Sequence, residues 1–190
     1  MAPPKERADA VRNRQAILEA ARKLFAEEGA EAATMDRIAA VAGVAKGTLF
    51  HRFGNRAGLL YALIAEGATG LMEAVQSGPP PLGPGAPAGE RLVAYFDAMT
   101  CLIADDIELN VAYQALPPHP RREEFHRFWA THISTLLREV RPDLDAEVVG
   151  GLLLAPLGGE LVPHLVRAGQ KERLRESVRQ LVQSVINQPS

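Results

Sequence analysis

The sequence predicts an all-α protein of about nine helices, and three observations support this fold class. Apolar residues recur at spacings of three and four along most of the 190-residue chain, which is the period of an α-helix with one buried face. Strictly alternating, strand-like segments are scarce. Glycine and proline stand at the ends of the periodic segments, where they terminate helices. We therefore expect a small N-terminal domain of three helices followed by a larger helical domain.

The composition indicates an intracellular globular protein. Apolar residues make up 47% of the chain and charged residues 23%, which is ordinary for a folded domain. A single cysteine, Cys101, excludes an internal disulfide bond. No run of about 18 apolar residues predicts a membrane span, and the N-terminus lacks the apolar segment of a secretory signal. We therefore expect a cytoplasmic protein with no membrane partner.

The charge is distributed unevenly, although the net charge is only −2. Residues 1–56 carry ten lysines and arginines against seven acidic residues, whereas residues 57–190 carry eleven against sixteen. A mildly basic N-terminal part therefore precedes an acidic remainder, and contact with a polyanion is expected at the N-terminal part.

The N-terminal elements follow from periodicity and from their end signals. After an arm at residues 1–11, the first helix is predicted over residues 12–28, with Gly29 as its stop. Thr34 has the side chain of an N-cap for a short helix over residues 35–42. Gly43 precedes a second short helix over residues 46–53. The Gly54-Asn55 pair then separates it from a long helix over residues 56–76.

Residues 77–90, with the sequence SGPPPLGPGAPAGE, interrupt this periodicity. Five prolines and four glycines in this stretch favour a linker or mobile loop, which we expect to separate two domains. Helices are then predicted over residues 91–104, 106–115, 121–140, 145–168 and 171–187. Pro156 and Pro163 are expected to kink or break the fourth of these, because each removes a backbone donor.

Residues 35–53 have the pattern of a helix-turn-helix. Two short helices that cross closely need a small residue at the crossing, which Ala39 supplies. Gly43 suits a turn with a left-handed backbone angle, and Ile38, Val44 and Leu49 supply the apolar contacts between the helices. The N-terminal part of the second helix in such motifs enters the DNA major groove.

The residues expected to face DNA are polar, basic or small. Lys46 can reach a phosphate or a guanine edge, Gly47 allows the backbone to approach closely, and Thr48 can contact a phosphate or a thymine methyl group. His51 and Arg52 lie one turn further along. Thr34 and Arg56 stand near helix starts, where free N–H groups favour a phosphate.

These residues resemble the N-terminal domain of the TetR family of one-component transcriptional regulators. The resemblance covers residues 12–64 and rests on AGV at 42–44, KGTLF at 46–50, the aromatic Phe53 and the basic Arg56. The family commonly has tyrosine where this chain has Phe50, so a hydroxyl-to-phosphate bond is lost at that DNA-binding position. It often has histidine at the position of Arg52 and lysine at that of Arg56, and arginine preserves a phosphate contact at both.

The resemblance implies a homodimer that binds a double-stranded DNA operator and a small-molecule effector. We expect no cofactor, and no metal because Glu160 and His164 would supply only two ligands. Effector pockets are largely apolar with a few polar groups, and the candidates in the helical remainder are Phe96, Met99, Thr100, Ile103, Tyr113, Phe125, Trp129, His132, Glu160 and His164. The last two helices carry more apolar surface than one face needs, which favours a four-helix bundle between two chains. Its candidate residues are Leu161, Leu165, Val178, Leu181, Val182 and Val185.

The resulting hypothesis is a repressor that an apolar or amphipathic effector releases from a palindromic operator. The expected domains are a DNA-binding domain at residues 12–56, a connecting helix at 57–76, the loop at 77–90, and a ligand-binding and dimerisation domain at 91–190. Two alternatives stay open at this point. One is a helical enzyme that uses Glu160, His164 and His132, and the other is a DNA-binding scaffold controlled by a protein partner.

Overall fold

The computed structural model describes residues 4–187, and the side chains from residue 9 onward. The described chain forms ten α-helices and one 3₁₀ turn, without strands within these residues. The helices are α1 (Pro4–Ala32), α2 (Met35–Val41), α3 (Lys46–Phe53), α4 (Arg56–Ser77), α5 (Ala88–Asp105), α6 (Ile107–Gln114), α7 (Pro120–Val140), α8 (Ala146–Leu154), α9 (Leu161–Arg167) and α10 (Lys171–Ile186). The predicted fold class is confirmed.

The chain divides into two compact units. Unit 1 comprises residues 1–66 and 106–116, and unit 2 comprises residues 67–105 and 117–190. The expected division placed the domain boundary at residues 77–90, but the two units divide within α4 and again on either side of α6. Helix α6 joins unit 1 because it packs against α1, and its Leu109 is buried in the core of that unit.

The core of unit 1 is built from the apolar faces of α1 to α4. Ile17, Leu18 and Phe25 of α1 are fully or almost fully buried, as are Leu59 and Leu63 of α4. Burying one such side chain contributes about 1.5–3 kcal/mol, so the apolar stripe of α1 accounts for much of the stability of this unit. Gly29 interrupts α1 with a φ of 80°, which confirms the predicted stop at this position.

The start of the chain differs from the expected flexible arm. Of the arm predicted at residues 1–11, residues 1–3 lie outside the described residues, whereas the backbone is helical from Pro4. Proline favours the first turn of a helix because backbone N–H groups have no intrahelical partner there, so the N–H that proline lacks is not needed.

Unit 2 is held together by α5, which packs against both α7 and α10. Tyr95 and Phe96 of α5 and Ile133 of α7 are fully buried in its core. On the side facing α10, the guanidinium of Arg175 binds the carboxylate of Asp97 through two hydrogen bonds of 2.6 and 2.7 Å. These bonds from Arg175 lower the pKa of Asp97.

Residues 77–90 form an ordered turn instead of a linker between the units. Helix α4 extends to Ser77, and α5 begins at Ala88. Leu82 packs against the apolar core of unit 2, and the Gly83 N–H donates to the carbonyl of Pro79 at 3.0 Å. The prolines restrict the backbone and Leu82 anchors it, so this composition produces a compact connection within one unit.

The helix predicted over residues 145–168 is two helices separated by a 3₁₀ turn at Ala155–Gly158. Pro156 lies in the first positions of that turn. Pro163 is the third residue of α9, where a backbone N–H is not needed for an intrahelical bond. The break at Pro156 agrees with expectation, whereas Pro163 lies in the first turn of α9 and does not interrupt a helix. The number of helices rises from nine to ten.

Helix α4 is long and apolar enough to meet a length-and-composition test for a membrane span, with a mean hydropathy of 1.3. Its apolar residues are explained by packing. Leu59 and Leu63 are buried in the core of unit 1, and Leu71 and Val75 in that of unit 2.

Candidate functional site

The helix-turn-helix forms as the sequence predicts. The Thr34 side chain accepts a hydrogen bond from the Arg37 backbone N–H at 3.3 Å, which confirms its role as N-cap of α2. Gly43 adopts a φ of 67° in the turn, where a residue with a Cβ atom would be strained. Ala39 and Leu49 are buried where α2 meets α3. Local sequence therefore determines this motif.

Helix α3 has one buried face and one exposed face. Leu49 and Phe53 point into the core of unit 1. Most of the predicted DNA-facing residues lie on the other side: Lys46, Gly47, Phe50 and His51 are exposed, and Thr48 and Arg52 are half-buried. The helix therefore presents basic, polar and aromatic groups together to solvent.

The Lys46 ammonium group has two neighbours within unit 1. It lies 2.7 Å from the Asp36 carboxylate of α2 and 5.8 Å from the centre of the Phe50 ring. Both charged side chains are more than half exposed, and such surface pairs contribute about 0–1 kcal/mol. The ion pair therefore orients the Lys46 side chain but is weak enough to be exchanged for a contact with another anion.

Phe50 and Gly47 lie outside the buried core of unit 1. Phe50 is 38% exposed although it is a large aromatic residue. A Cβ atom added at Gly47 would meet nothing within 4 Å, so the absence of a side chain there is not required by the fold. The backbone start of α3 is also open, because no described side chain caps it at Ala45. Its first N–H groups are available to an anion.

Arg56, which the sequence places at a phosphate, is half-buried at the start of α4. Its guanidinium donates a hydrogen bond to the Ala30 carbonyl and lies 5.5 Å from the centre of the Phe25 ring. These contacts attach the start of α4 to the segment after Gly29. The sequence could not distinguish this contact from one to DNA, because a guanidinium can donate to a phosphate or to a backbone carbonyl.

The candidate pocket residues are divided between the two units. Tyr113 lies on α6 in unit 1, where its ring contacts Tyr61 edge-on at 5.4 Å. The other nine lie in unit 2. Phe96, Met99, Thr100 and Trp129 are buried, Ile103, Phe125 and His132 are half-buried, and Glu160 and His164 are exposed.

The residues of the enzyme alternative occupy different environments. His132 lies on α7 against the rings of Tyr95 and Phe128. Glu160, the N-cap of α9, and His164, four residues later, are both exposed. Over the described part of the chain, no group of three or more histidine, cysteine or acidic residues has the arrangement of a metal site.

Burial, together with the smaller effect of the positive charge of Arg91, lowers the pKa of His132 to about 4. The imidazole is therefore neutral at neutral pH. Tyr95, which packs edge-on against His132 with ring centres 5.4 Å apart, was not identified from the sequence. Its position in the helical periodicity of α5 indicated only a core residue.

The neutral state of His132 predicts a pH-dependent stability. The unfolded chain binds a proton at His132 near pH 6.5 and the folded chain only near pH 4, so the free energy of unfolding falls as the pH drops through this range. Because the side chain is half-buried, we expect the loss to be about 1–2 kcal/mol. Urea denaturation from pH 7 to pH 4 measures it, and a His132→Gln variant should show a flatter profile. Parallel profiles would contradict the prediction.

The predicted dimer residues differ in their burial within the single chain. Leu161 and Leu181 are 58% and 46% exposed, Leu165, Val178 and Val185 are half-buried, and Val182 is fully buried. Val182 therefore belongs to the core of its own chain, because it lies on the face of α10 that packs on α5. Two further exposed residues were missed, Val148 and Leu152 of α8. The almost uniformly apolar sequence of α8 could have indicated them, since a helix that buries one face leaves the apolar residues of its other face exposed.

The fold and the exposed face of α3 define a helix-turn-helix protein. Residues 17–63 match the family model described as bacterial regulatory proteins, tetR family. The HTH-type transcriptional repressor AcnR of Corynebacterium efficiens is 45% identical over 65 residues, which span 34% of this chain and 35% of that protein. The aligned part thus spans about a third of the length of this curated relative.

Solved structures have a similar fold over most of the chain. The fatty acid degradation regulator FadR of Bacillus halodurans has a TM-score of 0.68 at 22% identity, covering 88% of this chain and 96% of that one. FadR of Bacillus subtilis, solved in complex with stearoyl-CoA, has a TM-score of 0.67 at 23% identity, with coverages of 91% and 99%. At these identities the likeness shows the fold. Together the comparisons confirm the resemblance to the TetR family.

Proposed function

We propose that this protein is a ligand-responsive, DNA-binding transcriptional regulator that acts in the cytoplasm as a homodimer. In its most specific form, it is a repressor that a small apolar or amphipathic molecule releases from a palindromic operator. The observation that carries the proposal is the exposed face of α3, with Lys46, Gly47 and Phe50 standing out from a helix whose other face is buried. The match of residues 17–63 to the tetR family model and the 45% identity with AcnR over 65 residues support it.

In this proposal, the N-terminal end of α3 lies in the major groove. Lys46, Thr48, His51 and Arg52 supply contacts to phosphates or base edges, and the open helix start and the cap residue Thr34 lie near a phosphate. Phe50 contributes an apolar contact to a thymine methyl group or a deoxyribose. Arg56 supports this surface from within, by holding the start of α4.

The dimer is proposed on the exposed apolar residues of unit 2. The large apolar side chains that are exposed in the described part of this unit are Val148, Leu152, Leu161 and Leu181, and all lie on α8, α9 and α10. Exposed apolar groups concentrated on consecutive helices are typical of an interaction surface. A two-fold dimer through these helices would present two copies of α3 about 34–36 Å apart, one turn of DNA.

Regulation is proposed to arise in unit 2, whose aromatic core favours an apolar or amphipathic effector. The stearoyl-CoA bound by one structural neighbour is in keeping with this choice. An effector shifts the operator equilibrium only by the difference between its affinities for the two states. Helix α4, which contributes to both units, is the proposed mechanical connection.

The test of the proposed function is selection from a library of random DNA duplexes at two salt concentrations, followed by sequencing. Recovery of a palindrome with salt-sensitive affinity would support a dimer that reads DNA through α3, because phosphate contacts release counterions. Failure to enrich any sequence at either salt concentration, with folded and dimeric protein, would contradict the proposal.

We expect Lys46→Ala to weaken operator binding about tenfold and to reduce the slope of log affinity against log salt by about one, because one phosphate contact is lost. Fluorescence anisotropy with the selected operator measures both quantities. Asp36→Asn should instead strengthen operator binding, since it removes a negative charge 2.7 Å from the Lys46 ammonium. Lys23→Ala, at an exposed position of α1, is the charge-matched control. Identical salt slopes for the Lys46 variant and the wild type would contradict this placement of α3.

A further inference from the structure

Unit 2 contains a group of buried polar atoms without hydrogen-bond partners. Among the side chains that the structure describes, four buried nitrogen or oxygen atoms have no partner, and three of them lie in this unit: Arg91 Nε, the Tyr95 hydroxyl and His132 Nε2. Burying a polar atom without a hydrogen-bond partner costs about 1–3 kcal/mol of folding free energy, so three such atoms in one unit need an explanation.

The three residues are neighbours. Arg91 and Tyr95 are four residues apart on α5, so their side chains lie on the same face of that helix. The Tyr95 ring packs edge-on against the His132 ring of α7, with ring centres 5.4 Å apart. The charge of Arg91 also acts on the His132 imidazole, as the lowered pKa of His132 shows. The three residues therefore lie close to one another where α5 packs against α7.

The chemistry of the cluster favours an anion. Arg91 Nε and the Tyr95 hydroxyl are donors, and a neutral imidazole can also donate from Nε2. The Arg91 guanidinium donates to the Val75 carbonyl at 3.2 Å. Within residues 9–187, no carboxylate lies within ion-pair distance of Arg91, so its charge has no counterion there. A carboxylate ligand would supply both the charge and the acceptors.

The surroundings of the cluster are aromatic. The Trp129 ring lies 5.4 Å from that of Tyr95, and the Phe128 ring stacks on His132 with centres 6.4 Å apart. An apolar chain attached to the carboxylate would therefore find hydrocarbon and ring surface next to the polar atoms.

We propose that Arg91, Tyr95 and His132 bind the carboxylate of an amphipathic effector whose apolar part packs against the aromatic side chains of unit 2. This inference rests on the proposed function, in which unit 2 binds the effector, and it specifies the chemical class of that effector. It also explains why these buried polar atoms lack partners within the chain, which the packing of the core does not explain.

The test uses the single tryptophan of the chain, Trp129, as the reporter. Full-length protein is titrated with decanoate and, as a probe without the carboxylate, with 1-decanol. We expect decanoate to change the Trp129 fluorescence saturably and to bind at least tenfold more tightly than 1-decanol, because a hydrogen bond to a charged group is lost in the alcohol. Equal affinities, or no saturable binding of decanoate, would overturn the proposal.

Two variants locate the site. Tyr95→Phe removes only the hydroxyl, and Arg91→Met removes the charge while preserving an extended apolar side chain. We expect decanoate affinity to fall about tenfold in the first variant and tenfold to a hundredfold in the second. Arg127→Met, an exposed position on α7, is the control and should bind as the wild type does. Wild-type affinity in both site variants would overturn the proposal.

A purely structural role for Tyr95 makes a different prediction. If its hydroxyl served stability, Tyr95→Phe would lower the melting temperature of the ligand-free protein. We expect the melting temperature to be unchanged or raised, since an unpartnered buried hydroxyl is removed. In the presence of decanoate, the wild type should gain more thermal stability than the variant, because tighter binding stabilises the folded state more. A lower melting temperature of ligand-free Tyr95→Phe, with unchanged ligand affinity, would overturn the proposal.

Direct binding separates this inference from the proposed function. Decanoate binding at Trp129 without release of the selected operator would support the site and contradict release by such an effector. Operator binding without any response to decanoate would leave the DNA-binding function standing and overturn the carboxylate site.

Discussion

Replacing Leu49 with alanine is expected to lower the free energy of unfolding of unit 1 by about 2–5 kcal/mol, because it leaves a cavity in a fully buried site. Leu49 is 0% exposed and lies on the face of α3 that packs on the core. Domains commonly have only about 5–15 kcal/mol of total stability, so operator binding at 37 °C should be severely reduced. Urea denaturation followed by far-ultraviolet circular dichroism measures the loss. Trp129 fluorescence reports on unit 2 in the same samples.

The neighbouring residue provides the matched control. Phe50→Ala alters an exposed side chain of the same helix and should cost less than about 1 kcal/mol of stability. It should still weaken operator binding if Phe50 contacts DNA. An unfolding midpoint of Leu49→Ala equal to that of the wild type would show that α3 does not pack on the core as described.

Replacing Leu152 with aspartate is expected to convert the proposed dimer to monomers. The side chain is 66% exposed in the single chain, so the change should leave the fold intact. In a two-fold dimer the substitution occurs twice, and burying two unpaired carboxylates should weaken association at least about a hundredfold. Sedimentation equilibrium measures the dimer dissociation constant. Operator affinity should fall with it, because a monomer reads one half-site.

The control for this variant is Ala130→Asp, which adds the same charge at an exposed position of α7. It should remain dimeric and bind the operator like the wild type. A monomeric wild-type protein, or a Leu152→Asp variant with an unchanged dimer constant, would contradict the proposed interface. Leu161→Asp tests the same surface on α9, where the exposed fraction is 58%.

The helix-turn-helix was predictable because its requirements are local. The cap at Thr34, the turn at Gly43 and the buried Leu49 each depend on residues within a few positions of one another along the chain. Periodicity likewise placed most helices within two or three residues of their ends. Within residues 145–168, the two prolines indicated a kink or a break, but the sequence did not show that only Pro156 lies at the break between two helices.

The roles of individual side chains were harder to predict than the helices. Arg56 was expected at a phosphate and Val182 in a bundle between two chains, whereas Arg56 donates to the Ala30 carbonyl and Val182 is fully buried within its own chain. Tyr95 was not singled out from the sequence, because an aromatic residue in an apolar helix gives no sign that its buried hydroxyl lacks a partner. Residue type and spacing do not say which distant segment a side chain will meet.

The sequence by itself determined the all-α class, the helix-turn-helix and the exposed basic face of α3, because capping, turn geometry and helical periodicity act over a few residues. The tertiary structure decided which segments form each unit, as with α6 in unit 1. It also decided which apolar residues stay exposed on α8 to α10, and that Arg91, Tyr95 and His132 meet between α5 and α7. These features depend on contacts between residues far apart in the chain, which no local pattern encodes.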